Sequence, residues 1–98
     1  MAGRNTMNFT HYALGQMKSG SIVEVTLLGS AANVRLMMDS SNFENYRRGR
    51  RYRFVGGLPT RSTVSLKVPR TGQWHLCVDM LGLRGSVRSA IRTFPASA

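Results

Sequence analysis

Acidic residues are scarce in this chain. Glu24, Asp39, Glu44 and Asp79 are the only four in 98 residues, against 14 lysines and arginines, for a formal net charge of +10. So basic a surface draws in polyanions and repels basic partners. The single cysteine, Cys77, excludes an internal disulfide and fits a reducing compartment. No CxxC or HxxxH spacing occurs, so the usual zinc signatures are missing, and no metal or cofactor is expected. No apolar run approaches the ~18 residues of a membrane span. The N-terminal MAGRNTMNFTHY has no apolar stretch of the kind that secretion signals need. The expectation is a cytoplasmic protein with no membrane contact. Gly56-Gly57 and Gly82 to Gly85 are not phosphate loops, because neither opens a helix with a Lys-Ser/Thr pair.

What is present is strand-like. A chain of 98 residues is one domain and is long enough to bury a core without staples. We place a disordered leader at 1–6, one β domain at 7–95 and a tail at 96–98. After the turn Ser19-Gly20-Ser21, Val23, Val25 and Leu27 alternate with Glu24 and Thr26, the period of a half-buried strand. Val34, Leu36 and Met38 repeat the pattern, with Arg35 outward. Val64, Leu66 and Val68 form another inward set, as do Val87, Ser89 and Ile91, with Arg88 and Arg92 outward. Trp74, Leu76, Val78 and Met80 point in, leaving His75, Cys77 and Asp79 on a polar outer face with a semi-exposed thiol. Ser40 to Arg48 predicts a helical turn capped by Asp39 or Ser40 and ended by Gly49, with Phe43 and Tyr46 on one face. From Arg50 to Val55 alternation returns, sending Tyr52 and Phe54 inward, before a loop at Gly56-Gly57. The sum is about seven short strands: an all-β sandwich or barrel of Greek-key or jelly-roll type.

The charge is concentrated. Within DSSNFENYRRGRRYRFVGG, Arg47, Arg48, Arg50, Arg51 and Arg53 supply half of the net charge. Five guanidinium groups this close must be solvated or must face a negative partner, since burying one unpaired is costly. They are the candidate anion-binding residues, with Tyr46 and Tyr52 interleaved as candidate stacking residues. The competing explanation is a solvated turn whose aromatics are anchors. His75, Cys77 and Asp79 lie roughly 6.6 Å apart along their strand and cannot form a catalytic triad with one another. They and His11 could ligate a metal only if the fold gathered them. The foremost reading is a non-catalytic binding or sensor module for an anionic ligand or a protein partner. A sequence-tolerant nucleic-acid binder is the alternative, with a log–log salt slope near about −4 to −5 if five arginines meet phosphates. An enzyme comes third. A homodimer through an unguarded sheet edge stays open.

The segments AANVRLMMDSSNFENYRRGRRYRFVGG and VPRTGQWHLCVDMLGLRGSVRSAIR, with the HYALG opening and TRSTVSLKVP, resemble a small bacterial family catalogued only as a domain of unknown function, DUF1883. The resemblance implies a module that occurs alone or beside TIR signalling domains. Asp39, Asn42, Phe43 and Tyr46, then Pro69, Gly72 and Trp74, also resemble a pattern in wider jelly-roll modules. That likeness implies a non-catalytic appendage that binds or protects. The doubled Met37-Met38 departs from the pattern and predicts a β-bulge there.

Overall fold

The computed structural model describes residues 9–59, 61–81, 83 and 85–96. It contains β1 (Phe9–Met17), β2 (Ile22–Gly29), β3 (Asn33–Met38), α1 (Asp39–Arg47), β4 (Val55–Gly57), β5 (Thr63–Lys67), β6 (Gly72–Asp79) and β7 (Val87–Phe94). One sheet runs β1-β6-β3-β4 and the other β5-β2-β7, and every pairing is antiparallel. The fold is therefore an all-β sandwich of seven strands, as the alternation implied. The expected leader, residues 97–98 of the tail, and Gly82 and Arg84 of the expected turn lie outside the described residues.

The inward residues of the two sheets meet in one core. Val23, Val25, Leu27, Val34, Leu36, Leu66, Val68, Trp74, Leu76 and Val78 are all buried in it. Val23, Val25, Leu36, Val68 and Leu76 are fully inaccessible, and each such aliphatic contributes about 1.5–3 kcal/mol relative to an exposed position. Met38 and Met80 are only half-buried at its margin.

The outer face of the first sheet departs from expectation. Met37, Cys77 and Asp79, set against the core side by alternation, are 0, 0 and 1% exposed. The cover is α1, whose Tyr46 is buried with Met37 and Cys77 and is flanked by Phe9, Phe43 and Tyr52. A nine-residue helix is too short to persist alone in water. Packing of its Phe43–Tyr46 face holds it, so the molecule has a partial third layer over β3 and β6. Arg35, expected outward in solvent, lies beneath this layer with its side chain 17% exposed.

Local details also correct the reading. Neither Asp39 nor Ser40 caps α1: Met38 is the N-cap, without a side-chain hydrogen bond. Asp39 turns the chain with a φ of 71°, a left-handed conformation that aspartate tolerates better than most residues. The C-terminus behaves as expected. Gly49 N–H reaches Tyr46 O at 3.1 Å and Arg50 N–H reaches Asn45 O at 2.7 Å, the paired bonds of a Schellman motif. Met37 and Met38 pair in continuous register with His75 and Trp74, so no bulge forms there. The bulge is in β1, where Leu14 is the extra residue between Ala13 and Gly15. Residues 50–54 form no strand, Phe54 is 41% exposed, and Gly56-Gly57 belong to β4 rather than a loop.

Candidate anion-binding site

The five arginines follow from α1 and its exit. Arg47 and Arg48 are exposed, and both donate to Glu44 one helical turn back, Arg48 at 3.3 Å. The Schellman bonds then hold the backbone that carries Arg50. Arg50, Arg51 and Arg53 are exposed and have no carboxylate partner among the described residues. The return path is pinned by Asn42. Its side-chain NH2 donates to Met38 O at 2.7 Å, and its Oδ1 accepts the Arg53 N–H at 3.1 Å. The cluster thus divides into two groups that share the single Glu44 carboxylate and three without a carboxylate partner on a tethered loop.

Tyr46 is not available to stack on a ligand. It is 2% exposed, and its hydroxyl donates to Asp79 Oδ2 at 2.6 Å. Tyr52 is half-buried, edge-on to Tyr46 and 5.4 Å from the Phe54 ring. It anchors the loop more than it faces outward.

Beside the turn lies an open cleft of about 320 Å³, within the lower range of small-ligand sites. Leu36, Met38 and Trp74 line it from the core side, and Phe54 from the loop. Arg35 sits over the Phe54 ring at 5.1 Å. Arg53 and Arg70 bring positive charge to the same cleft, and Asp39 brings negative charge. Composition alone gave Arg70 and Phe54 no functional role. Only the fold brings the β5–β6 turn against the arginine loop.

A second cluster pairs His11 of β1 with His75 of β6, Nε2 to Nδ1, at 2.9 Å. Phe43 of α1 stacks on both rings, at 4.0 and 5.1 Å. The chain does bring the two histidines together, although Cys77 and Asp79 turn to other partners. Among the described residues, no three His, Cys, Asp or Glu side chains gather as a metal site. His75 Nε2 is buried without a hydrogen-bond partner. Burial lowers the pKa of both rings below 6.5; for His75 the neighbouring His11 lowers it further and Asp39 opposes. A base whose folded pKa is depressed favours folding above its unfolded value and loses that contribution as pH falls below it. Thermal stability is therefore expected to fall as pH drops below 6.5. Melts of the native protein and His11→Gln between pH 8 and 5 check this, and the variant should show the flatter profile.

Asp79 organises the covered face. Its carboxylate accepts Asn33 Nδ2 at 2.8 Å, Arg35 Nε at 3.1 Å, the Tyr46 hydroxyl and the Leu81 N–H at 3.1 Å. Burial pushes its pKa up, but the bonds from Tyr46, Asn33 and Leu81 and the Arg35 charge outweigh burial and hold it below 3.8. The Cys77 thiol beside it is pushed up to about 12, by burial first and the Asp79 charge second. It stays protonated at neutral pH, which corrects the expectation of a semi-exposed thiol.

Among the described residues, no helix is long and apolar enough to cross a membrane. No curated protein and no solved structure matches the chain. The family model of the domain of unknown function DUF1883 matches residues 7–97, nearly the whole chain, and the protein belongs to that family.

Proposed function

We propose that this protein is a non-catalytic binding or sensor module of the bacterial cytoplasm, built on a jelly-roll-type sandwich, whose arginine turn captures an anionic partner. One observation carries the reading. Arg50, Arg51 and Arg53 are exposed and lack carboxylate partners among the described residues, while the Arg53 N–H bond to Asn42 and the Gly49 N–H bond to Tyr46 fix the loop that bears them. Holding three like charges close together costs free energy through mutual repulsion, and an anionic partner relieves it. A fixed backbone lowers the ordering cost of binding. With Arg47 and Arg48 sharing the one Glu44 carboxylate, about four phosphate contacts replace the five that the sequence offered. The salt slope should be about −3 to −4 rather than −4 to −5.

The test is a titration with labelled single-stranded nucleic acid and duplex DNA at low and physiological salt. Arg50, Arg51 and Arg53 changed together to alanine are run alongside. Binding that survives physiological salt and disappears in the triple variant supports an anion site. Binding lost at physiological salt, or unchanged in the variant, overturns the reading and points to a protein partner at another surface.

A further inference from the structure

The cleft between the arginine loop and the β5–β6 turn combines features that the turn alone does not. Its two guanidinium groups come from segments far apart in sequence, and both backbones are tied down. Asn42 holds the Arg53 N–H at 3.1 Å. On the other side, Arg70 O accepts the Trp74 indole N–H at 3.0 Å. Its neighbours are fixed as well: Ser19 Oγ donates to Pro69 O at 3.2 Å, and the Ser19 N–H donates to Thr71 Oγ1 at 3.0 Å. Both arginines are exposed, and neither has a carboxylate partner among the described residues.

Between these charges the lining is apolar. Phe54, 41% exposed, is one of the few large apolar side chains left open to solvent. Arg35 lies over its ring, and Tyr52 sits beside it. Those contacts fix the ring's orientation, and the ring borders the cleft. A fixed, accessible aromatic next to two unpaired guanidinium groups matches a ligand with a flat ring and an anionic group. Asp39 on the same border would accept a hydroxyl or amino hydrogen and would repel a ligand charged at both ends. The volume of about 320 Å³ suits one small molecule, not a polymer strand.

We propose that this cleft binds a small ring-bearing organic anion of nucleotide type, its phosphate between Arg53 and Arg70 and its ring against Phe54. The proposal rests on the anion-binding reading of the turn, from which it takes Arg53. The only tryptophan of the chain, Trp74, lines the cleft, so its fluorescence reports occupancy directly. Nucleoside monophosphates, the matching nucleosides and inorganic phosphate are titrated separately against the full-length protein. The monophosphates should give a saturable change at concentrations at least about tenfold below those needed for nucleoside or phosphate alone, since each half of the ligand supplies part of the affinity. Arg70→Gln and Phe54→Ala, both at exposed positions, should each weaken binding about tenfold. Their circular dichroism and melts should match the native protein. Arg88→Ala, at an exposed position on β7 of the other sheet, should leave the fluorescence titration unchanged. Phosphate binding as well as a nucleotide, nucleosides binding as well, or no saturable change would each overturn the proposal. The two readings fail separately. Loss of polyanion binding with the Trp74 titration intact overturns the polymer reading of the turn alone, and an empty cleft with polyanion binding through Arg50 and Arg51 intact overturns the cleft alone.

Discussion

Replacing Asp79 by alanine should cost about 3–5 kcal/mol of folding stability, the loss seen when one partner of a buried ion pair is removed. Four donors converge on this carboxylate, from Asn33, Arg35, Tyr46 and the Leu81 amide. Alanine leaves the Tyr46 hydroxyl buried without an acceptor and the Arg35 guanidinium without its counterion. For a domain of this size the melting temperature should fall by on the order of 20 °C. Tyr46 ties α1 to β6 through this bond, so near-ultraviolet dichroism should change along with the melt. Asp79→Asn retains an acceptor oxygen and should lose less. The Asp79 contribution is present above pH 3.8 and disappears as pH falls through its depressed folded value. That window lies below the one set by the histidine pair, so an acid titration of stability separates the two. A loss under about 1 kcal/mol in Asp79→Ala would mean that the helix is held by its aromatic face alone.

Gly56→Ala is the second large effect, on the order of 3 kcal/mol. Two costs add. The residue sits at a φ of +117°, which an L side chain resists by about 1–2 kcal/mol. Its Cβ would also lie 2.3 Å from the Val34 carbonyl oxygen, and relieving such overpacking costs about 1–3 kcal/mol. Val34 is in β3, paired directly with β4, so the strain falls on the bonds that hold this edge. Gly49→Ala is the natural control. Its φ is +74° and its Cβ would meet nothing within 4 Å, so only the backbone cost of about 1–2 kcal/mol remains. Urea unfolding of the two variants gives the comparison; equal losses would show that β4 simply shifts away from β3. Because β4 directly follows Arg53 and Phe54, Gly56→Ala should also loosen the cleft.

The alternation of Val23, Val25 and Leu27 and of Trp74, Leu76 and Val78 was enough to read the sandwich, because each set buries one face of a strand. The same rule failed on His75, Cys77 and Asp79. Alternation reports that two faces differ, not that the second face meets water. The clue was Met37, an apolar residue on the Arg35 face, together with Phe9, Phe43, Tyr46 and Tyr52, more aromatics than a two-layer core could use. Arg50, Arg51 and Arg53 were visible as a cluster from composition. That Arg47 and Arg48 are engaged by Glu44 follows from helical spacing of three and four. The partnership of Arg53 with Arg70, and of His11 with His75, joins residues on different strands, and no local pattern carries that information. Gly56-Gly57 read as a loop because paired glycines usually mark one. Here Gly56 allows a backbone approach too close for any side chain.

The sandwich has a consequence for how the chain is made. Of the sheet pairings among the described residues, only β3–β4 joins strands that are neighbours in sequence. Phe9 of β1 must wait for Asp79 of β6, its partner in the register, and β2 waits for β7 at the far end. At about 5–20 residues per second on a ribosome, the 70 residues between Phe9 and Asp79 take roughly 4–14 seconds to appear. Until β5 emerges the Val23-Val25-Leu27 strand has neither neighbour, and until β6 emerges the opposing sheet lacks the strand that joins β1 to β3. The growing chain therefore passes through its most aggregation-prone state while still tethered, and its high positive charge, which repels other copies, protects it over those seconds.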